Sequence, residues 1–405
     1  MSILVQKFGG TSVATEEDCA RVVSRILEAR RQGKDVVVVV SAMGRRPAPY
    51  STDALLDLGQ RANPELDPRE RDAIASCGEV IASVVLVSAL TAAGCPAVSL
   101  TGPQAGILTD DNFGDARIRK VDPTRILEVL NSGKVAVVAG FQGVTEGGDV
   151  TTLGRGGSDT TASALGAALS AELIEIYTDV DGVMTADPRV VPDARFQETV
   201  SYRDLVEMAN LGAKVVHPRA VEIAMQARIP LAIKSTFSDS PGTLVTDTGR
   251  RAAAVPVADR LVSAVTHMPG VAQILIDQAD FNSTGLVLDV FSALARDHIS
   301  VDMINVFPER IAFIIGEREV PRARRILEDL GLHAVSNPGC AKVSIVGGAM
   351  RGVPGVMSRV VRALHNAGVR ILQTSDSHNS ISCLVLGSDM ERAARALHDE
   401  FELAR

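Results

Sequence analysis

At 405 residues, 46% of them hydrophobic, the chain is long enough for two or three compact units with full cores. A formal charge of −8 and an aromatic content of 3% without Trp argue against a large nucleic-acid footprint and against stacking platforms for single strands or sugars. Five cysteines, scattered and never in a C-x-x-C pair, read as the reduced thiols of a cytoplasmic protein rather than a disulfide framework or a zinc site.

The start, Met1–Lys7, lacks a basic stretch followed by a long apolar run, so no signal peptide is expected. Strand and helix then alternate. Ile3–Val5 is a short apolar run, and a helical pattern runs from Glu16 to Arg31 until Gly33 stops it. Val36–Val40 is wholly apolar and β-branched, as in a strand buried on both faces. Val80–Ala93 reads as a buried helix, too short to span a bilayer. A helix at Pro123–Asn131, a strand at Val135–Ala139, a helix at Asp159–Ser170 and a strand at Leu173–Thr178 follow. The predicted class is α/β: a mainly parallel sheet between helical layers, with ligands beyond the carboxyl ends of the strands.

Around Phe237–Arg251 the composition shifts to Ser, Asp, Pro, Gly and Thr, which marks a linker over 237–260. Beyond it lies a repeat at an offset of 70 positions: Gly285, Val290 and Leu294 recur as Gly355, Val360 and Leu364, and Ala323 and Leu327 as Ala393 and Leu397. Each copy reads strand–helix–strand–strand–helix–strand, a small α+β sandwich. The second copy ends at Arg405 without its closing strand, and Leu261–Thr266 stands 70 positions before the closing strand of the first, Gly331–Ser336. Either 261–266 completes the second copy, leaving the first (about 267–337) inserted in the second (261–266 plus 338–405), or it is a free strand of the linker.

Three motifs carry chemistry. Lys7-Phe8-Gly9-Gly10-Thr11-Ser12 joins the first strand to the first helix, where glycines admit a phosphate to backbone N–H groups and Lys7 can lie along its β and γ positions. Gly154-Arg-Gly-Gly-Ser-Asp159 opens a helix and offers N–H groups, a guanidinium and a carboxylate together. Arg155 suits bidentate capture of a carboxylate; Asp159 could orient Lys7 or hold Mg²⁺, and Ser158 or Asp159 also serves as a helix cap. Tyr177–Arg189, rich in Asp and Thr, follows a strand and suits either ribose and base or an ordinary turn. Ser41 ends the Val36–Val40 strand, and Glu79 is an awkward charge beside an apolar helix. No G-x-x-x-x-G-K-[ST] and no HRD/DFG set is present, and the seven histidines show no metal-ligand spacing.

Together, Lys7–Ser12, Val38–Gly44, Cys77-Gly-Glu79, Thr151–Thr161, Tyr177–Arg189 and Gly212–Pro218 resemble, in order, the aspartokinase family of the amino-acid-kinase fold. The tail resembles that family's paired ACT domains. The resemblance implies a three-layer αβα catalytic domain over 1–236 and a regulatory pair over 261–405. It implies transfer of phosphate from ATP, carried as MgATP, to the side-chain carboxylate of L-aspartate, with feedback by an amino acid and at least a homodimer. By matching position, Lys7 would stabilise the transferring phosphoryl group and Asp159 organise that lysine. Arg155 would hold the substrate α-carboxylate and Glu79 its ammonium, with Ser41, Thr52 and Ser158 completing the pocket. The nucleotide positions would be Lys7, Phe8, Gly9, Gly10, Thr178, Asp179, Met184, Arg189 and Lys214, with Met184 where a Tyr is often seen. Effector positions would be Asn282, Ser283, Gly285, Asp302 and Asn305.

Two departures bear on regulation. Met43-Gly44 is separated from Thr52-Asp53 by Arg45–Ser51, the longer form that looks like the diaminopimelate-sensitive class. Asn282-Ser-Thr-Gly285 replaces the Asp-Lys-Pro-Gly usual in lysine- or threonine-responsive relatives, so diaminopimelate is the expected effector, ahead of lysine or threonine. The rival readings are a kinase of the same fold acting on N-acetylglutamate, glutamate or a nucleoside monophosphate, and a non-catalytic ACT sensor.

Overall fold

The protein is described by a computed structural model over residues 1–247, 261–277, 285–350 and 352–405. It divides into two compact units. The first comprises Met1–Val183, Gln197–Ala209 and Lys214–Val255; the second comprises Met184–Phe196, Asn210–Ala213 and Pro256–Arg405. Two segments from within the span 1–236 thus belong to the second unit.

The first unit is built on an eight-stranded sheet. Its strands lie in the order Thr199–Ser201, Thr243–Thr246, Leu231–Ser235, Leu173–Thr178, Ile3–Phe8, Asp35–Val40, Val135–Ala139 and Ala97–Leu100. All neighbours are parallel except Leu231–Ser235 against Thr243–Thr246. Val36–Val40 has no exposed surface at all, in keeping with its β-branched run. The chain leaves Ile3–Phe8 for one neighbour, Asp35–Val40, and returns much later on the other side as Leu173–Thr178. That reversal opens a crevice at the carboxyl end of the first strand, beside Lys7 and Phe8.

Three sequence expectations are corrected here. The linker starts later than composition suggested, because Thr243–Thr246 is a sheet strand with Thr243 and Val245 fully buried. Pro241-Gly242 is the bend before it, and turns share their composition with linkers. Residues 248–260 lie outside the described residues. The apolar helix starts at Pro68 rather than Val80, with Asp67 as cap and Pro68 in the first turn. Its 25 residues are long and apolar enough, by length and composition, to cross a membrane. Nor is it buried all round: Ala82, Leu86 and Leu90 pack into the core with Ile26, Val36 and Val38, while Val84 and Val85 are exposed. Sequence patterning also missed a helix, Thr52–Ala62, and a four-stranded sheet of Ile118–Val121, Ile107–Thr109, Gln142–Val144 and Val150–Thr152, strands of three or four residues.

The second unit holds an antiparallel six-stranded sheet. Its order is Asp302–Phe307, Arg310–Gly316, Ala264–Asp277, Ala334–Val346, Ser380–Leu386 and Gln373–Asp376. The two central strands, of 14 and 13 residues, serve both repeats. Ala264–Pro269 pairs with Ala341–Val346, the opening strand of the second repeat. Beyond a bulge at Pro269/Val271, the same strand pairs with Arg310–Gly316 of the first repeat. The repeated positions are core positions. Val290, Leu294, Ala323 and Leu327 pack with Ile274, Ile311 and Phe313, and Val360, Leu364, Ala393 and Leu397 pack with Val343 and Ile345.

Candidate active site

Lys7 is the penultimate residue of the buried strand Ile3–Phe8, and its ammonium turns over Gly9: a methyl added there would sit 3.5 Å from Nζ. The next residue has no room for a side chain. A Cβ on Gly10 would lie 2.5 Å from the Ala42 carbonyl oxygen, so only glycine lets the first loop close on the second. That closure is hydrogen-bonded, Ser41 N–H donating to Phe8 O at 3.1 Å and Gly44 N–H to Gly10 O at 2.9 Å.

Asp159 lies in the first turn of the helix Gly157–Leu169, whose preceding residue, Gly156, is left-handed at φ +67°. A Cβ on Gly156 would strike the His217 ring at 2.3 Å, so the sharp entry is possible only for glycine. One Asp159 oxygen is 2.7 Å from Lys7 Nζ, with the two side chains only 11% and 12% exposed. The other accepts the His217 backbone N–H at 3.2 Å. Lysine and aspartate thus form an enclosed pair that presents a cation at the crevice without leaving either charge unmatched.

Glu79, in the helix Pro68–Ala92, is 2% exposed. The Ala42 N–H donates to its Oε1 at 3.0 Å, and its Oε2 has no partner. Burial pushes its carboxyl up to about 8, against the pull of the Ala42 N–H. Such a group is stable when protonated or when a cation arrives. Ser158 is buried and packs on Gly140, the residue after the strand Val135–Ala139. Thr52 opens the helix Thr52–Ala62, which Ser51 caps through the Ala54 N–H at 3.4 Å. The preceding Tyr50 carbonyl closes on Gly78, next to Glu79. Arg155 is exposed between two glycines, and among the described residues its guanidinium has no ion-pair partner.

The structure therefore brings Lys7, Gly9, Gly10, Ser41, Glu79, Ser158 and Asp159 to neighbouring strand ends of one unit. Thr178 ends the strand beside Ile3–Phe8, and its hydroxyl donates to Asp179 at 3.2 Å; Asp179 also faces Arg45 at 3.5 Å. Lys214 is exposed in the same unit. Phe8 is fully buried, its ring stacked on Tyr177 at 4.6 Å, so only its backbone can meet a ligand. Met184 and Arg189 belong to the second unit, and Arg189 grips Asp187 at 2.7 Å.

Of the effector positions, Asn282 and Ser283 lie outside the described residues. Gly285 precedes the helix Leu286–Arg296, Asp302 is ion-paired with Lys342, and Asn305 Oδ1 accepts from Gln373 at 2.7 Å. Among the described residues there is no group of three His, Cys, Asp or Glu that could hold a metal ion.

Sequence reasoning missed the residues that brace the glycine loop. Buried Asp72 accepts the Thr152 N–H at 2.7 Å, the Thr152 hydroxyl at 2.9 Å and the Gly114 N–H at 2.9 Å. Arg219 donates to Leu153 O at 3.0 Å and to Ala116 O at 3.2 Å. His217 holds Asp159 through its backbone N–H. The signal available for it was its place in Gly212–Pro218, directly before a proline that starts a helix.

Comparison with known proteins agrees with this geometry. The amino acid kinase family model matches residues 2–235, and an ACT domain model matches residues 335–399. Aspartokinase 1 of Bacillus subtilis is 47% identical over 405 residues, all of both chains. Aspartokinase III of Escherichia coli in complex with aspartate and ADP superposes with a TM-score of 0.79 at 27% identity, over 98% of this chain and 99% of that one. The same enzyme with lysine and aspartate gives 0.76 at 26% identity, over 99% of this chain and all of that one. Full-length identity of this size, with a kinase-type first unit and an ACT-type repeat in the second, makes this chain a member of the aspartokinase family.

Proposed function

We propose that the chain transfers the γ-phosphoryl group of MgATP to the side-chain carboxylate of L-aspartate, giving ADP and 4-phospho-L-aspartate, as the committed step of a feedback-regulated amino-acid pathway. The observation that carries this reading is Glu79: a buried carboxylate with one oxygen unpartnered, in the unit that also holds the Lys7–Asp159 pair and the unpaired Arg155. An α-amino acid supplies the two charges such a site lacks. Its ammonium would satisfy Glu79 and its α-carboxylate would take the Arg155 fork. Ser41, Thr52 and Ser158 would complete the pocket.

In the transfer, an oxygen of the substrate side-chain carboxylate attacks the γ-phosphorus as the bond to the β-phosphate oxygen breaks. Lys7 offsets charge gathering on the transferred group and the leaving phosphate. Asp159 holds Lys7 in place; it removes no proton, since the attacking carboxylate carries none. Gly9, Gly10 and the Phe8 backbone would line the phosphates, with Thr178, Asp179 and Lys214 on the nucleotide and Met184 and Arg189 carried over to it by matching position. Magnesium enters on the phosphates of ATP as part of the substrate and neutralises their charge.

The departures at Arg45–Ser51 and Asn282 support diaminopimelate as effector ahead of lysine or threonine. The exposed Ile304, Val306 and Phe307 on the edge strand Asp302–Phe307 support pairing of two copies side by side. Free thiols among five scattered cysteines suit the cytoplasm. Trapping with hydroxylamine, ATP and Mg²⁺ tests the reaction: a hydroxamate should form with L-aspartate, and preference for N-acetylglutamate or L-glutamate would overturn it.

A further inference from the structure

His398 is fully buried in the last helix of the second unit, far along the chain from every residue assigned to the reaction. Its Nε2 lies 2.9 Å from the hydroxyl of Thr185. Thr185 belongs to Met184–Phe196, a segment that leaves the first unit and returns to it.

The way that segment is tied is unusual. Its ends are held in the first unit, where the Val183 N–H donates to the Thr243 hydroxyl at 2.8 Å and the Gln197 N–H donates to Val183 O at 2.9 Å. Met184 and Phe196 then pair as an antiparallel bridge. One residue further, Thr185 makes four hydrogen bonds. Its N–H donates to Arg195 O, its carbonyl accepts from the Val265 N–H, and its hydroxyl accepts from the Arg195 N–H, each at 2.8 Å. The fourth is the His398 contact. Val265 lies on the strand that closes the second repeat, and His398 on its last helix. Ala186, Val190 and Val191 are part of the core cluster formed with Val343, Leu397 and Leu403, and Arg395 Nε donates to Val190 O at 2.7 Å.

A two-stranded ribbon therefore runs without interruption from Val183 to the core of the second repeat. Upstream of it, three residues separate Val183 from Asp179, which follows the strand Leu173–Thr178. We infer that Thr185 and His398 are positioning residues: their hydrogen bond sets the register of the ribbon, and with it the stretch Thr178–Val183 that meets the nucleotide. A change in the packing of the second repeat then acts on ATP affinity rather than on aspartate affinity. This rests on the nucleotide role proposed for Thr178 and Asp179.

The test uses the full-length protein with Thr185→Val, which keeps shape and loses the hydroxyl, and Thr185→Ser, which keeps the hydroxyl. Calorimetry with MgATP reads nucleotide affinity without any reaction. Thr185→Val should weaken ATP binding and raise the ATP KM by about fivefold, the size of one hydrogen bond, and leave aspartate KM and kcat within about twofold. Thr185→Ser should match the parent. Unchanged ATP binding in Thr185→Val, equal losses in ATP, aspartate and kcat, or a Thr185→Ser that behaves like Thr185→Val would each overturn the inference. Should Thr185→Val fail to fold, His398→Gln, whose amide reaches the same point, is compared with His398→Leu by the same readings: ATP binding retained in the first and weakened in the second supports the inference, and equal binding overturns it. A parent protein that binds ATP but yields no aspartyl hydroxamate would refute the reaction proposed above, and calorimetry would still decide this inference.

Discussion

Each unit buries a lysine beside an aspartate, and the two pairs are built to different ends. Lys7 and Asp159 are both enclosed, at 11% and 12% side-chain exposure, and near them Glu79 keeps an oxygen with no partner. Lys342 is enclosed at 3%, but its partner Asp302 is 53% exposed. Around that second pair the polar groups satisfy one another: Gln273 donates to Gln373 at 3.0 Å, Gln373 to Asn305 at 2.7 Å, and Asn337 to Gln273 at 3.0 Å. Buried polar groups are normally paired, so a closed network reads as architecture and an unpartnered oxygen as a place for a ligand. Unpartnered buried polar atoms occur in both units, Thr266 Oγ1 among them, and Glu79 Oε2 is the carboxylate oxygen among them that no ion pair meets.

Removing Lys7 should break this contrast most strongly. Lys7→Ala is expected to lower kcat by about 10²–10³, as for loss of a preorganised donor at a developing charge, with aspartate KM changed only a few-fold. Steady-state ADP release measures it, and a defect confined to KM would deny Lys7 its part in the transfer. Arg155→Ala should raise aspartate KM by about 10–100-fold, the worth of a charged hydrogen bond, with kcat largely kept. An unchanged aspartate KM would remove Arg155 from the pocket.

Glu79 sharpens the contrast through pH. Its carboxyl is raised from 4.5 to about 8, so the folded protein holds a proton there that the unfolded chain releases across that window. By that sign, its contribution to stability declines as pH rises from 4.5 to about 8 and is level above. Substrate binding runs the other way, since an ammonium needs the ionised form. Aspartate KM should therefore rise as pH falls below about 8, by up to about tenfold per unit, and Glu79→Gln should flatten the profile. A parent profile already flat between pH 6 and 8 would contradict the assignment.

The smallest effect is expected in the closed network. Lys342→Met should leave kcat and both KM values within about twofold and change stability by less than about 2 kcal/mol in either direction, because Asp302 can turn to water. Thermal unfolding and initial rates check it; a large loss of basal rate would show that the Lys342–Asp302 pair serves the reaction as well.

What could be read from sequence follows the same division. Lys7, Glu79 and Asp159 were legible because a charge among glycines or beside an apolar helix is out of place unless chemistry needs it. Asp72 and Arg219 were not, because they act on backbone groups across distant segments, and His217 was not, because its own backbone N–H does the holding; no local pattern encodes such contacts. Val36–Val40 announced itself by five buried valines, and the repeat by core positions 70 apart. The first turns of Pro68–Ala92 hid behind Arg69, Glu70 and Arg71, and the strand Thr243–Thr246 behind the Pro-Gly before it. Hardest to see was Met184–Phe196: its Asp and Pro residues look like an ordinary turn, while its valines complete the core of another unit.

If the first unit is shaped for both charges of an amino acid, Glu79 is reserved for the ammonium. Comparing kcat/KM for L-aspartate and N-acetyl-L-aspartate tests it most directly, since acetylation removes that charge and leaves the phosphorylated carboxylate untouched. N-acetylation should cost about 10²-fold or more, the penalty of leaving a buried carboxylate unpaired. Comparable values for the two substrates would contradict it.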